Sequence, residues 1–199
     1  MNDQEFRELL QKYRDEPASV LAFQPSIELL IDSHHCQAIN SFLHQPGILW
    51  ERKKAVDSLG NSLPDSPGLY MFVWRPELTL RFANTETERF GWVVYIGKAG
   101  TEEGRRDTIK QRYVSEYSKF VGKDPSCLWD TSPVEDRESR LARYLTLRPL
   151  EYWFLTMQDV REIQLLEKRL IKLLRPPLNL QHGVKLRPGK TVPAFEEPK

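Results

Sequence analysis

A turn-rich run, GNSLPDSPG at residues 60–68, separates two stretches of this chain whose apolar residues recur with different periods. No all-helical or all-strand fold accommodates both. Before it the spacing is helical: Phe6, Leu9, Leu10 and Tyr13 stand at i, i+3, i+4 and i+7, and Pro17 ends the stripe. From Ser26, a suitable N-cap, Ile27, Leu30, Ile31 and His34 repeat the pattern, and Ile39, Phe42 and Leu43 extend it to Pro46 and Gly47. A third short helix is expected over residues 50–59. Beyond the run the chain turns aromatic and β-branched, with strands expected at Gly68–Trp74 (GLYMFVW), 92–97 (WVVYIG) and 151–157 (EYWFLTM), and an intervening strand at 78–82. Helices are expected at 107–120, 135–147 and Val160–Leu174, the last stopped by Pro176 and Pro177. The fold class is therefore α+β: a small central antiparallel sheet flanked by helices, with an N-terminal helical extension at 1–65, a sheet-bearing domain at 66–181 and a polar tail at 182–199.

At 199 residues the chain can bury about 70% of its unfolded surface without covalent staples. Cys36 and Cys127 are too few for a disulfide framework or a four-thiolate zinc site. The adjacent His34, His35 and Cys36 would point about 100° apart on a helix and suit structural or surface roles better than one metal ion, and His44 and His182 are lone histidines. With an acidic amphipathic N-terminus and no long uncharged apolar segment, the expectation is a soluble cytoplasmic protein with no membrane partner. Residues 1–66 carry 6 Lys and Arg against 10 Asp and Glu, and residues 67–199 carry 23 against 18, so a net −4 precedes a net +5. A basic body suits an anionic partner.

Glu167 is the most informative residue. At about 100° per residue it falls in the same arc as Ile163, Leu166, Leu170 and Leu174, while Arg161, Lys168, Arg169, Lys172 and Arg175 occupy the other side. An ionised carboxylate there needs a metal ion, an arginine or a polar cleft, unless its stem packs while its head reaches water. In YIGKAG, Gly97 allows close approach to a ligand and Lys98 supplies a mobile point charge. Residues 98–123 hold seven basic against four acidic residues, interleaved with Tyr113, Tyr117 and Phe120. Such a helix either meets a phosphate backbone, through Lys110, Lys119 and Lys123, or is a solvated helix whose aromatics are core.

Taken together, these segments resemble the GIY-YIG nuclease superfamily, in the manner of a stand-alone restriction-endonuclease-like member. Gly68-Leu69-Tyr70 stands at the first tripeptide, Tyr95-Ile96-Gly97 matches the second and is followed by Lys98, Arg112 stands at the motif arginine, Glu167 at the metal-binding glutamate and Asn179 at the asparagine after that helix. The resemblance covers about residues 66–181. Tyr70 and Tyr95 lie further apart than in compact members, and the connection from Lys98 to Arg112 is long; both departures fall in loops, where recognition elements are added.

The resemblance implies a metal-dependent endonuclease that hydrolyses DNA phosphodiester bonds, with one Mg²⁺ held by Glu167 and Tyr70 and Tyr95 flanking the scissile phosphate. It further implies Lys98 and Arg112 as the cations that assist a tyrosine, Arg112 as a clamp on a phosphate oxygen, and Asn179 as a residue that orients the glutamate or the phosphate. The absence of large further domains fits a restriction or other defence enzyme acting on double-stranded DNA, with a methyltransferase as its genetic partner. A phage or toxin-type nuclease is the alternative. A non-catalytic nucleic-acid-binding module on the same fold would have lost at least one of the five motif residues, and all are present. Cutting both strands of a symmetric site calls for a homodimer, formed in solution or only on DNA, to which the N-terminal stripes could contribute if they do not pack on their own body.

Overall fold

In the computed structural model the described residues are 50–76, 91–100, 107–124 and 136–179, the backbone of 79–80 and 88–89, and singly Gln4, Arg7, Glu8, Gln11, His34 and Leu128. The two N-terminal helical stripes, the tail, and the expectations for His35, Cys36, His44, Cys127 and His182 lie outside them; His34 is exposed. The structure is α+β: a four-stranded antiparallel sheet flanked by helices. Its strands are β1 (Glu51–Lys54), β2 (Gly68–Trp74), β5 (Trp92–Ala99) and β6 (Leu150–Thr156), in the order β1, β6, β2, β5. GLYMFVW becomes the buried β2 because it is paired on both edges and covered on both faces. The intervening strand exists as β3 (Thr79–Leu80), but it pairs with β4 (Glu88–Arg89) in a separate two-stranded sheet.

The helix expected over residues 50–59 is not formed. Residues 51–54 are instead the edge strand β1 on β6, followed by a 3₁₀ turn at Asp57–Ser62. The sheet therefore begins N-terminal to the turn-rich run. The physical reason is tertiary: ERKK has no apolar face, but Arg52 lays its guanidinium 4.0 Å from the centre of the Trp153 ring and Lys53 donates to the Ser62 carbonyl. Charged side chains are the usual guard of an exposed edge.

Among the described residues three helices cover the sheet: α1 (Ile109–Arg112), which continues as a π turn at Tyr113–Tyr117, then α2 (Arg137–Leu145) and α3 (Val160–Leu174). Register divides the core in two. Tyr70, Phe72, Tyr152 and Phe154 face the α1 and α2 side with Tyr113, Tyr117, Leu141 and Leu145. Leu69, Met71, Ile96 and Trp153 face α3 through Ile163 and Leu170. The turn-rich run holds α1 in place: Ile109 and Lys110 donate backbone N–H bonds to Ser66 and Pro64, Thr108 and Gln111 form a capping box, and the Thr108 hydroxyl reaches Asp65 at 2.6 Å. Helix α3 starts on an Asp159 cap and ends with Arg175 in the left-handed conformation, where the prolines follow. Among the described residues no helix is long and apolar enough to cross a membrane.

Candidate active site

Tyr70 lies on β2 directly opposite Gly97 of β5, and its ring crosses that glycine so closely that a Cβ on Gly97 would sit 2.5 Å from the ring. Gly68 likewise admits the Leu155 carbonyl of β6 where any side chain would collide, at φ +156°. Both tripeptide glycines are thus places where backbone or a ring must approach. The Tyr70 hydroxyl meets that of Tyr117 at 3.0 Å, and Tyr117 in turn donates to Tyr95 at 3.2 Å. This chain runs outward, since Tyr70 and Tyr117 are each only 1% exposed while Tyr95 is half-buried. Burial, together with the neighbouring tyrosines, pushes Tyr70 and Tyr117 well above the ordinary tyrosine range. Both hydroxyls therefore stay protonated near neutrality, able to donate a hydrogen bond but not to act as phenolate bases.

In the sequence Tyr117 is one of the aromatics of a segment that either meets a phosphate backbone or packs in the core; the structure buries it. What brings it to the site is the π turn, in which Ser118 bonds back five residues to Tyr113, a feature that recurs at functional sites.

Arg112 sits just before that turn, 20% exposed, ion-paired with Asp107 through Nε and with Glu116 through Nη1. Asp107 also accepts the Gly100 N–H at 2.9 Å and so ties the end of β5 to the arginine. Glu116 accepts from Arg137 of α2 as well, at 2.7 Å. Burial pushes the Glu116 carboxyl up, but the bonds from Arg112 and Arg137 outweigh it and hold the group below the usual carboxylate range. Arg112 is correspondingly held protonated by Glu116 and Asp107 despite burial.

Lys98 and Glu167 occupy the other face. Lys98 is opposite Leu69, on the α3 side of β5, and its Nζ lies 2.7 Å from Glu167 Oε2, with the two side chains 30% and 14% exposed. The anomaly in the helical pattern is thereby explained: the carboxylate in the apolar arc of α3 meets a lysine reaching down from the strand. The tyrosines and the carboxylate are consequently on opposite faces, and what joins them is β5 itself, an edge of the sheet, at the consecutive residues Gly97 and Lys98.

Asn179 is anchored on the edge strand: its Oδ1 accepts the Ile96 N–H at 2.8 Å and its Nδ2 donates to the Ile96 carbonyl at 2.7 Å, so both ends of the amide contact β5 backbone. With Leu178 donating to the Val94 carbonyl, the chain after α3 completes the open edge of β5 just short of Gly97. The residue positions the strand that carries Tyr95 and Lys98.

The three candidate DNA-contacting lysines are not drawn into this network. Lys119 is exposed and ion-paired with Glu138 at 2.6 Å, and Lys123 lines a cavity of about 910 Å³ beside Trp74 and Leu150, at the far end of the strands from Gly97. Lys110 is half-buried on α1.

Among the described residues no group of three or more His, Cys, Asp or Glu is arranged to hold a metal ion. Glu167 alone suits a Mg²⁺ that keeps most of its waters and takes one carboxylate and substrate phosphate, and among the described residues no hydrogen bond reaches its second oxygen. The donor set therefore fits that ion and offers little to zinc. No family model matches the chain, and neither the curated proteins nor the solved structures contain a match to it.

Proposed function

We propose that the chain is a metal-dependent endonuclease of the GIY-YIG type acting on double-stranded DNA, in a restriction or other defence role. The observation that carries the proposal is the meeting of two unlike half-sites at Gly97 and Lys98: a chain of tyrosine hydroxyls on one face of an edge strand and a carboxylate held by a lysine on the other. Phosphodiester hydrolysis asks for those parts, namely a fixed hydroxyl to hold the attacking water or leaving oxygen, cations around the phosphate, and a carboxylate for a divalent ion.

Tyr95 is the hydroxyl that meets the substrate, because it is the half-exposed end of the chain; Tyr117 donates to it and, with Tyr70 behind, holds it in place as neutral hydroxyls. Glu167 would hold one Mg²⁺, which when bound neutralises charge on the phosphate. Lys98, whose ammonium neutralises Glu167 in this structure, would be freed to turn to a phosphate oxygen if a cation took its place on the carboxylate. Asn179 and Gly97 fix the backbone that presents Tyr95 and Lys98.

The test is incubation of the protein with plasmids of differing sequence in Mg²⁺. Discrete fragments are expected for a restriction enzyme, and a smear points to the phage or toxin-type alternative. Glu167→Gln should stop cleavage while DNA binding persists or improves, since a negative charge beside the phosphates is removed. A protein that binds DNA and never cuts it is the non-catalytic module, and cutting by Glu167→Gln at the parent rate overturns the assignment of the carboxylate.

A further inference from the structure

The guanidinium in the motif position is poorly placed to hold a phosphate. Arg112 is mostly buried, and its Nε and Nη1 are engaged by Asp107 and Glu116 on two sides. The ligand it was expected to clamp would have to compete with two carboxylates already in contact. Glu116 carries the link onward. Its second oxygen receives Arg137 Nη2 at 2.7 Å, so one carboxylate ties two guanidiniums, one interior and one at the surface.

Arg137 differs from Arg112 in the ways that matter to an incoming anion. Its side chain is 50% exposed against 20% for Arg112, and among the described residues its one ion pair, through Nη2 to Glu116, together with its contact to Tyr95, leaves further N–H donors of its fork for an incoming acceptor. It also lies within interaction distance of the Tyr95 hydroxyl, the outer end of the tyrosine chain, and of Tyr117. Its position is set by secondary structure: Arg137 is the first residue of α2, and the adjacent Asp136 carboxylate is spent on the Ser139 N–H and hydroxyl, at 2.8 and 2.7 Å, rather than on Arg137. Nothing in its spacing marks it in the sequence, since it precedes the apolar stripe of its own helix.

We propose that Arg137 is the phosphate-contacting guanidinium of this site, and that Arg112 and Glu116 are the positioning residues that hold it against Tyr95. The inference rests on the nuclease reading and names which arginine meets the DNA. The ligand class is a phosphodiester oxygen, bound by the N–H donors of Arg137 that Glu116 does not use. Arg112, through Glu116, fixes where that fork can point.

The experiment uses the full chain carrying Glu167→Gln, so that DNA stays intact, and follows binding of a fluorescent duplex by anisotropy across a salt series. Arg137→Gln is expected to weaken binding about tenfold or more at moderate salt and to reduce the slope of log affinity against log salt by about 0.9, the loss of one phosphate contact. Arg137→Lys should restore the slope, because the charge remains, yet in the otherwise unaltered protein it should leave cleavage impaired, because the planar fork is lost. Arg112→Gln should lower thermal stability more than Arg137→Gln does, as expected of an interior positioning residue. Binding and slope unchanged by Arg137→Gln would overturn the proposal while leaving the nuclease reading intact. A Glu167→Gln parent without salt-dependent DNA binding would overturn both.

Discussion

On the α1 and α2 side of β5, Tyr70, Tyr117 and Tyr95 satisfy one another as neutral hydroxyls; on the α3 side, Lys98 and Glu167 satisfy each other as charges. The difference follows depth. Hydroxyls can be buried completely if each finds a partner, whereas a buried ion pair must recover a large desolvation cost. Accordingly, Tyr70 and Tyr117 are sealed in an aromatic layer, with Tyr152 4.8 Å from Tyr113 and 5.0 Å from Phe72 between ring centres, while Lys98 and Glu167 stay at the rim. The tyrosine face is thus the fixed half of the site. On the proposed reading, the charged face is the half that would exchange its partners for a metal ion and a phosphate.

The sharpest way to break that arrangement is at the residue both halves share. Gly97→Ala drives a methyl into the Tyr70 ring, which should destabilise the chain by about 1–3 kcal/mol and abolish cleavage, while Lys98 and Glu167 on the other face keep their contact. Thermal melting with plasmid cleavage measures the first two effects. Direct Mn²⁺ titration, unchanged from the parent, reports the third.

A comparable loss of stability from a quite different cause is expected at Asn179→Ala. Two backbone groups of Ile96 would lose their partners, at about 1–3 kcal/mol, and β5 would loosen on both faces at once. Denaturant unfolding checks the magnitude. Hydrogen exchange at Ile96 distinguishes a released strand from a merely weakened helix, and unchanged protection there would contradict the positioning role.

The two faces should also respond differently to alkali. Burial raises Tyr70, Tyr117 and Tyr152 well above their ordinary values, so the folded chain retains protons that the unfolded chain releases. Their contribution to stability is complete below the unfolded tyrosine value of about 10 and is lost as pH rises beyond it. Thermal melting from neutral pH into the alkaline range should therefore fall steeply above that point. The smallest effect belongs to Tyr152→Phe. That hydroxyl is buried with no hydrogen-bond partner among the described residues, so its removal should be neutral or stabilising by about 1 kcal/mol and should blunt the alkaline loss. A marked destabilisation would mean the hydroxyl has a partner.

How far the sequence anticipated this arrangement varies with the physics of each residue. Strands β2, β5 and β6 were legible because their apolar and aromatic residues face packed layers, and α3 because a full apolar stripe lies between a cap and two prolines. Glu167 was legible as an exception to that stripe. Strand β1 was not, because its pairing depends on β6, almost a hundred residues later, and its charged side chains carry no alternation. The role of Asn179 was hidden for a related reason: spacing places an asparagine after the helix, but only the fold shows that its amide faces the edge of β5. Tyr117 was legible as one of the aromatics along its helix, but not the π turn that aims it at the site, and Arg137 stands at a helix start before any apolar period begins.

Whether the two faces form one site is decided by plasmid cleavage in Mg²⁺ with Tyr95→Phe, Lys98→Met and the double variant measured side by side. If both residues act on one phosphate, each single change should slow cleavage by about a hundredfold or more, and the double should fall little below the worse single, as residues acting as a unit do. Losses that multiply in full, or a single variant that cuts at the parent rate, would contradict a shared site at Gly97 and Lys98.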